Sequence, residues 1–137
     1  LFTNEYEAAL IEQKTGWTAA DLAAIVNVRF ITLGPDGARI ERRGCDPVLV
    51  GVPKEESKAD PTGVGDAFRA GFLAGQSWGL SDERSAQVGS LVATYVIETI
   101  GTQEYQLAQQ HFLQRPATAY GDDAAAEINQ HVSCPRP

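Results

Sequence analysis

The stretch from Asp60 to Phe68 carries residue types that could handle a phosphate group. It reads DPTGVGDAF, in which two glycines stand just before an apolar helical pattern. Glycines in such a turn let consecutive backbone N–H groups converge, and a helix start adds positive partial charge. The pattern therefore predicts an anion hole at this turn.

Asp66 stands directly after this turn. A carboxylate beside a phosphate site would repel the anion, so its presence is explained if it takes a proton from an attacking hydroxyl group. The alternative is structural, because aspartate is a favoured helix cap and the glycines could simply shape a loop. Spacing alone leaves both interpretations open.

Two further patterns precede this stretch. Asn4 and Glu7 have the spacing of a helix capping box. Residues 32–37, TLGPDG, follow a short apolar and β-branched run and have the composition of a turn in which glycines allow close backbone approach. Taken alone, each pattern is explained by local structure.

The predicted elements that position these candidate residues alternate between helices and strands. Asn4 caps a predicted helix that runs to Gly16, with Tyr6, Leu10 and Ile11 as its apolar stripe. The other elements predicted in this half are a helix capped by Thr18 through Ala24 and strands at 28–33, 38–43 and 48–52, the last two as a hairpin at a sheet edge.

The second half is predicted to be helical after a polar loop at 54–58. A long helix follows Gly63 and ends at Gly79, a second runs from Ser81 to Gly101, and a last amphipathic piece spans 122–128. We find no internal repeat and no obvious interdomain linker. Strands alternating with helices favour an α/β sandwich, with functional loops at the carboxyl ends of strands.

Composition narrows the class of protein. The 137 residues suit one domain, and 43% hydrophobic residues are ordinary for a soluble globular protein. The net charge of -7 argues against nucleic acid as a partner. Cys45 and Cys134 lack the close spacing of a zinc motif, and no apolar run could cross a membrane. We therefore expect a soluble cytoplasmic protein. The absence of methionine and the apolar start lead us to expect that Leu1 is not the natural first residue.

Several other kinds of site are disfavoured. There is no G-x-x-x-x-G-K-[ST] run, and Gly65 is followed by Asp66 without the third glycine of a dinucleotide-binding fingerprint. His111 and His131 have no nucleophile motif beside them and are interpreted as surface or partly buried histidines. Three basic residues lie on the predicted edge strand: Arg39, Arg42 and Arg43. Charge on an edge strand discourages pairing with other strands, so no ligand is needed to explain these arginines.

The run from Asp60 to Phe68 resembles the C-terminal signature of the ribokinase and phosphofructokinase-B family, in which a second aspartate follows a glycine-containing turn and precedes a helix. The resemblance implies a ribokinase-like three-layer α/β/α sandwich, of which residues 1–137 would be the C-terminal, ATP-binding and catalytic-base portion. In that family the second aspartate is the general base and the turn amides hold the transferring phosphoryl group. By resemblance these roles fall on Asp66 and on Gly63, Val64 and Gly65.

Two weaker motifs also match the family, and they occur in the same order along the chain as in the family. Asn4 and Glu7 match an N-x-x-E motif that, by resemblance, organises Mg²⁺, water and the nucleotide phosphates. The T-x-G-x-x-G pattern formed by Thr32, Gly34 and Gly37 resembles the turn that lies along the ATP phosphates and ribose. ATP and Mg²⁺ are thus the implied cofactors.

Family members also commonly bind a monovalent cation beside the anion hole. Carrying this over would place Asp60, Thr62, Val96 and Gly101 around K⁺, partly through carbonyl oxygens. Adenine is expected against residues 92–101, where apolar side chains could cover the ring.

The alternative for the same segment is helix core. Val92, Val96 and Ile100 follow each other at i, i+4 spacing. We favour core for most of these three side chains.

The implied reaction is transfer of the γ-phosphoryl group of ATP to a primary hydroxyl. Wider similarity of residues 2–7, 60–75 and 93–99 to actinobacterial-type adenosine kinases suggests adenosine as the acceptor, which would make AMP in purine salvage. A sugar kinase of the ribokinase or fructokinase type is the runner-up, and a nucleotide-binding module without turnover is an alternative of another class. A homodimer of the full-length enzyme also stays open.

One part of the family pattern has no counterpart in these residues. The N-terminal part of the family, which supplies the acceptor-sugar pocket and the lid, is not represented in the sequence. We therefore expect that the chain by itself is not an active kinase.

Overall fold

A four-stranded mixed sheet lies at the beginning of the chain. The computed structural model describes residues 1–107 and 109–132, and for residues 109–111 it describes the backbone only. The strand order of the sheet is β1 (Phe2–Asn4), β2 (Val28–Thr32), β3 (Ala38–Arg42) and β4 (Val48–Val50). β1 is parallel to β2, and the other neighbours are antiparallel. The predicted strands and the hairpin of β3 and β4 are confirmed.

Contacts divide the chain after Gly51 into two compact parts. We call residues 1–51 the amino-terminal part and the residues from Val52 onward the carboxy-terminal part. In the described residues, none of the helices is both long enough and apolar enough to span a membrane.

Two short helices accompany the sheet in the amino-terminal part. α1 (Glu5–Thr15) begins with a capping box at Asn4 and ends at Gly16, whose φ of 72° is left-handed. α2 (Ala19–Ile25) begins with a capping box between Thr18 and Asp21. Polar side chains thus accept two of the free N–H groups at each helix start. The caps at Asn4 and Thr18 are those that the sequence predicts.

The prediction that Tyr6 belongs to the apolar stripe of α1 is wrong. This side chain is 74% exposed, whereas Ala8 is buried. Ala8 is the buried residue of α1, which packs against β1 and β2. α1 therefore packs through a small residue.

The arginines of the hairpin do not lie on an edge strand, so that interpretation is also wrong. β3 lies between β2 and β4. Arg39 pairs with Glu41 at 2.9 Å. Arg43 lies just beyond β3 and donates to the carbonyls of Ala23 and Ala24 near the end of α2, where a cation complements the helix dipole.

Four helices lie in the described residues of the carboxy-terminal part: α3 (Val64–Ser77), α4 (Asp82–Ile97), α5 (Gln109–Tyr120) and α6 (Asp122–Val132). The first two and the last were predicted, but α5 was missed because Pro116 lies inside it. α4 ends at Ile97, earlier than the predicted stop at Gly101. Buried residues of three helices form the core: Val88, Leu91, Tyr95, Phe112 and Ile128.

Some single residues of the sequence analysis can also be placed. Cys45 is a free, exposed thiol. His131 is partly buried and stacks on Trp78, with ring centres 5.3 Å apart. The side chain of His111 and the whole of Cys134 lie outside the described residues.

Glycines let α3 and α4 approach closely. A Cβ atom on Gly71 would lie 2.8 Å from the Cα of Gly89, and one on Gly75 would lie 2.7 Å from the Cα of Ser85. In both cases the neighbouring atom is backbone, so it cannot swing aside. The α3–α4 contact therefore requires glycine at these positions.

We predict that Gly71→Ala lowers the free energy of unfolding by about 1–3 kcal/mol, because the methyl group forces the two helices apart. Gly65→Ala in the same helix is the matched control, since no described atom beyond its chain neighbours and the helix's own backbone lies within 4 Å of its Cβ position. The control should be neutral or stabilising by up to about 1 kcal/mol. Urea unfolding measures both, and equal stability of the two variants would contradict the close approach.

Candidate active site

The amino end of α3 is open. Gly63 precedes the helix with φ 80° and ψ −2°, a left-handed conformation that favours glycine. The first i to i−4 hydrogen bond of α3 runs from the N–H of Ala67 to the carbonyl of Gly63 at 2.9 Å. The N–H groups of Gly65 and Asp66 therefore have no acceptor within the helix. Among the described residues no side chain caps this end.

Asp66 lies in the first turn of α3, at the same open end. Its side chain is 84% exposed, and its Oδ1 lies 3.3 Å from Nη1 of Arg69. Arg69 was not among the predicted site residues, although the sequence shows its i, i+3 spacing from Asp66. Free N–H groups and a solvent-accessible carboxylate thus share one helix terminus, which suits an anion and a proton acceptor side by side.

Asp60 ties together the segments on either side of the turn. Its Oδ1 accepts the N–H of Thr62 at 2.9 Å, and its Oδ2 accepts the N–H of Gly101 at 3.4 Å. The pKa of the Asp60 carboxyl is held below its ordinary value of 3.8 by hydrogen bonds, those from Thr62 having a larger effect than the one from Gly101. Three of the four residues expected around a monovalent cation are therefore in contact.

Val96 is the fourth residue expected around the monovalent cation, and its contacts are of another kind. Its side chain is buried in the core, and its carbonyl accepts the N–H of Thr99 at 3.1 Å. The expectation of core packing is confirmed for Val96 but wrong for Ile100, which is 78% exposed because α4 ends before it.

In the amino-terminal part, the parallel pairing of β1 and β2 brings two motifs together. The register sets Asn4 opposite Thr32, at the carboxyl ends of both strands. Asn4 Oδ1 accepts the N–H of Glu7 at 2.7 Å, and the N–H of Asn4 donates to Glu7 Oε2 at 2.8 Å. One carboxylate oxygen of Glu7 is therefore engaged in the cap, next to the strand ends.

The turn after Thr32 is a short 3₁₀ helix, Gly34–Asp36, closed by a hydrogen bond from the N–H of Leu33 to the carbonyl of Gly37 at 2.7 Å. Gly37 has φ 97° and ψ −131°, and a Cβ atom there would collide with the carbonyl oxygen of Val50. Only glycine fits this position.

The residues offer few protein ligands for a metal ion. Within the described part of the chain, no three His, Cys, Asp or Glu side chains group closely enough to hold one. Mg²⁺ commonly uses one or two carboxylates together with substrate phosphates and water. Glu7 would supply one such carboxylate, and phosphates and water would have to supply the other ligands.

Comparison with known proteins identifies the family. A sequence model of the pfkB family of carbohydrate kinases matches residues 1–109. The chain belongs to this family. It is also similar to the solved nucleoside kinase of Burkholderia thailandensis in complex with inosine, at 35% identity and a TM-score of 0.83 over 88% of this chain and 40% of that chain. The predicted ribokinase-like α/β fold is thereby confirmed.

Two further relatives of this pfkB family chain differ in their acceptors. The adenosine kinase of Sinorhizobium meliloti is 34% identical, with a TM-score of 0.68 over 85% of this chain and 35% of that chain. The inositol 3-kinase of Zea mays is 36% identical over 72 residues, which are 53% of this chain and 18% of the relative. The chain thus spans well under half the length of the relatives it matches.

The pKa of Asp60 gives a pH-dependent prediction. Because the folded state lowers this pKa, the carboxylate stabilises the fold above pH 3.8 and loses that effect as the pH falls further. Wild type should therefore be more stable than Asp60→Asn at neutral pH, and the difference should shrink below pH 3.8. Urea unfolding midpoints across this range measure it. A difference that persists undiminished in acid would show that the charge of Asp60 is not the stabilising feature.

Proposed function

We propose that these residues are the ATP-binding and catalytic-base portion of a kinase that phosphorylates a primary hydroxyl of a nucleoside. The proposed acceptor is adenosine, and the product AMP, as in purine salvage. The observation that carries the proposal is the exposed carboxylate of Asp66 at the open amino end of α3, directly after the left-handed Gly63.

In the proposed mechanism the turn binds the phosphoryl group and Asp66 accepts the proton. The N–H groups from Gly63 to Gly65, of which that of Val64 also lies 3.4 Å from the carbonyl of Pro61, stabilise the negative charge on the transferred group together with the positive end of the helix dipole. Asp66 takes the proton of the attacking hydroxyl, so that oxygen bonds to phosphorus as the bond to the ADP oxygen breaks. Mg²⁺, when bound, neutralises charge on the phosphates.

The other motifs have supporting roles in the proposal. Asn4 and Glu7 organise Mg²⁺ and its water, and the turn from Thr32 to Gly37 lies along the phosphates and ribose. Asp60 and Thr62, with carbonyl oxygens near Val96 and Gly101, hold K⁺ beside the turn. The contacts of Asp60 with the N–H groups of Thr62 and Gly101 support this assignment for three of the four residues.

The nucleoside as acceptor is supported by similarity. The Burkholderia thailandensis protein, a nucleoside kinase, was solved with inosine, and the Sinorhizobium meliloti protein is an adenosine kinase. A second candidate, a kinase acting on a sugar or polyol hydroxyl, is favoured by the similarity to the Zea mays inositol 3-kinase.

We predict that Asp66→Asn nearly abolishes turnover while ATP affinity stays within about one order of magnitude, because the base acts in the chemical step. The test uses a chimera in which this chain replaces the matching portion of the Burkholderia thailandensis nucleoside kinase. Initial rates with adenosine, inosine, ribose and myo-inositol give turnover and the acceptor, and titration calorimetry gives ATP affinity.

Asp123→Asn is the control for this experiment, since Asp123 is another exposed aspartate in the first turn of a helix, but that helix is α6 and the residue has no place in the proposed site. Near-normal turnover of Asp66→Asn would end the assignment of the base. ATP binding without turnover in the unchanged chimera would favour a nucleotide-binding module.

We also predict that the chain alone does not turn over adenosine. The expected reason is that the acceptor pocket is supplied by residues outside the 40% of the Burkholderia thailandensis chain that it covers. A preparation of these residues, incubated with ATP and adenosine and assayed for AMP, should remain at background. Robust formation of AMP would refute the prediction.

A further inference from the structure

The carboxylate of Glu98 lies where three segments of the carboxy-terminal part meet. Arg115 in α5 donates to both of its oxygens, from Nη1 to Oε2 at 3.0 Å and from Nη2 to Oε1 at 2.7 Å. Both side chains are only 13% exposed, and the guanidinium carbon lies 4.7 Å from the centre of the Tyr95 ring. A bidentate pair of this kind fixes orientation as well as distance.

Glu98 also holds the segment that leads into the anion turn. Its Oε1 accepts the N–H of Glu56 at 2.7 Å. The carbonyl of the preceding Ile97 accepts the N–H groups of Ala59 at 2.8 Å and Asp60 at 3.2 Å. Three N–H groups of this short segment are therefore anchored on the end of α4.

From Asp60 the same connection reaches the turn. Asp60 accepts the N–H groups of Thr62 and Gly101, and the next glycine, Gly63, packs against Thr102. A Cβ atom on Gly63 would lie 2.7 Å from Cγ2 of Thr102. The turn is thus held by Asp60 on one side and by residues 101–102 on the other.

Removal of Arg115 would leave Glu98 with a mostly buried charge and no bidentate partner. A carboxylate left in this state is strongly unfavourable and tends to turn towards water. Space for such a movement exists, because Glu98, Tyr95 and Arg115 line a cavity of about 710 Å³. Rotation of Glu98 into this cavity would release the N–H of Glu56.

We propose that Arg115 is a positioning residue for phosphoryl transfer, which acts through Glu98 to hold residues 56–60 and hence the anion turn in place. The inference rests on the proposed function of that turn. Arg115 lies beyond the residues that the family model matches, which end at 109. It touches no proposed substrate atom and is not a catalytic residue.

Hydrogen exchange in the 137-residue chain tests the anchoring directly and needs no turnover. Arg115→Gln should accelerate exchange at the N–H groups of Glu56, Ala59 and Asp60 by about tenfold, with little change in the middle of α3. Arg84→Gln is the matched control, because it breaks another contact of α4, the 2.7 Å pair with Glu127, away from the turn. It should leave these three N–H groups unchanged.

Kinetics of the chimera test the link to chemistry. Arg115→Gln should lower kcat by about tenfold or more with the KM for the nucleoside little changed, since a displaced turn stabilises the transition state less well. Arg115→Lys keeps the charge without the bidentate geometry and should restore part of the rate. Arg84→Gln should leave kcat unchanged.

The outcomes separate the two proposals. Unchanged exchange at Ala59 and Asp60 in Arg115→Gln, or equal acceleration throughout the helices, would overturn the positioning role. If Arg115→Gln does not fold, the same exchange measurement on Arg115→Lys decides, with selective acceleration expected. An inactive unchanged chimera with the selective exchange effect intact would count against the proposed kinase function, while the anchoring by Arg115 would stand.

Discussion

An α-helix leaves the N–H groups of its first turn without partners inside the helix, and the candidate site depends on where this happens in α3. A helix normally fills this deficit with a side-chain cap, as α1 does with Asn4 and α4 with Ser81. At α3 the position before the helix is Gly63, which has no side chain to offer. The unfilled donors make this terminus suitable for an anion.

Keeping such a terminus in place requires support from the surrounding structure. α3 is fixed against α4 by glycines that bring the two backbones close together, and the segment before the turn is hydrogen-bonded to the end of α4. Both contacts use backbone atoms, which are less adaptable than side chains. The carboxy-terminal part can therefore hold an open helix end without a cap.

Local signals in the sequence predicted much of this arrangement. Capping boxes, left-handed glycines and short β-branched runs are set by neighbours within a few residues, so α1, α2, β2 and the start of α3 were found correctly. α5 was missed because Pro116 is usually a helix breaker, yet here it is buried within a packed helix. The pairs between Glu98 and Arg115, and between Asp60 and Gly101, join residues 17 and 41 positions apart and leave no periodic trace in one sequence. Only the folded chain reveals them.

Asn4 combines two tasks that are usually given to different residues. It ends β1 opposite Thr32, and it also completes the capping box of α1 with Glu7. Substitutions at this position would therefore weaken the helix start and disturb the strand end together, so a lost function could not be assigned to either cause alone.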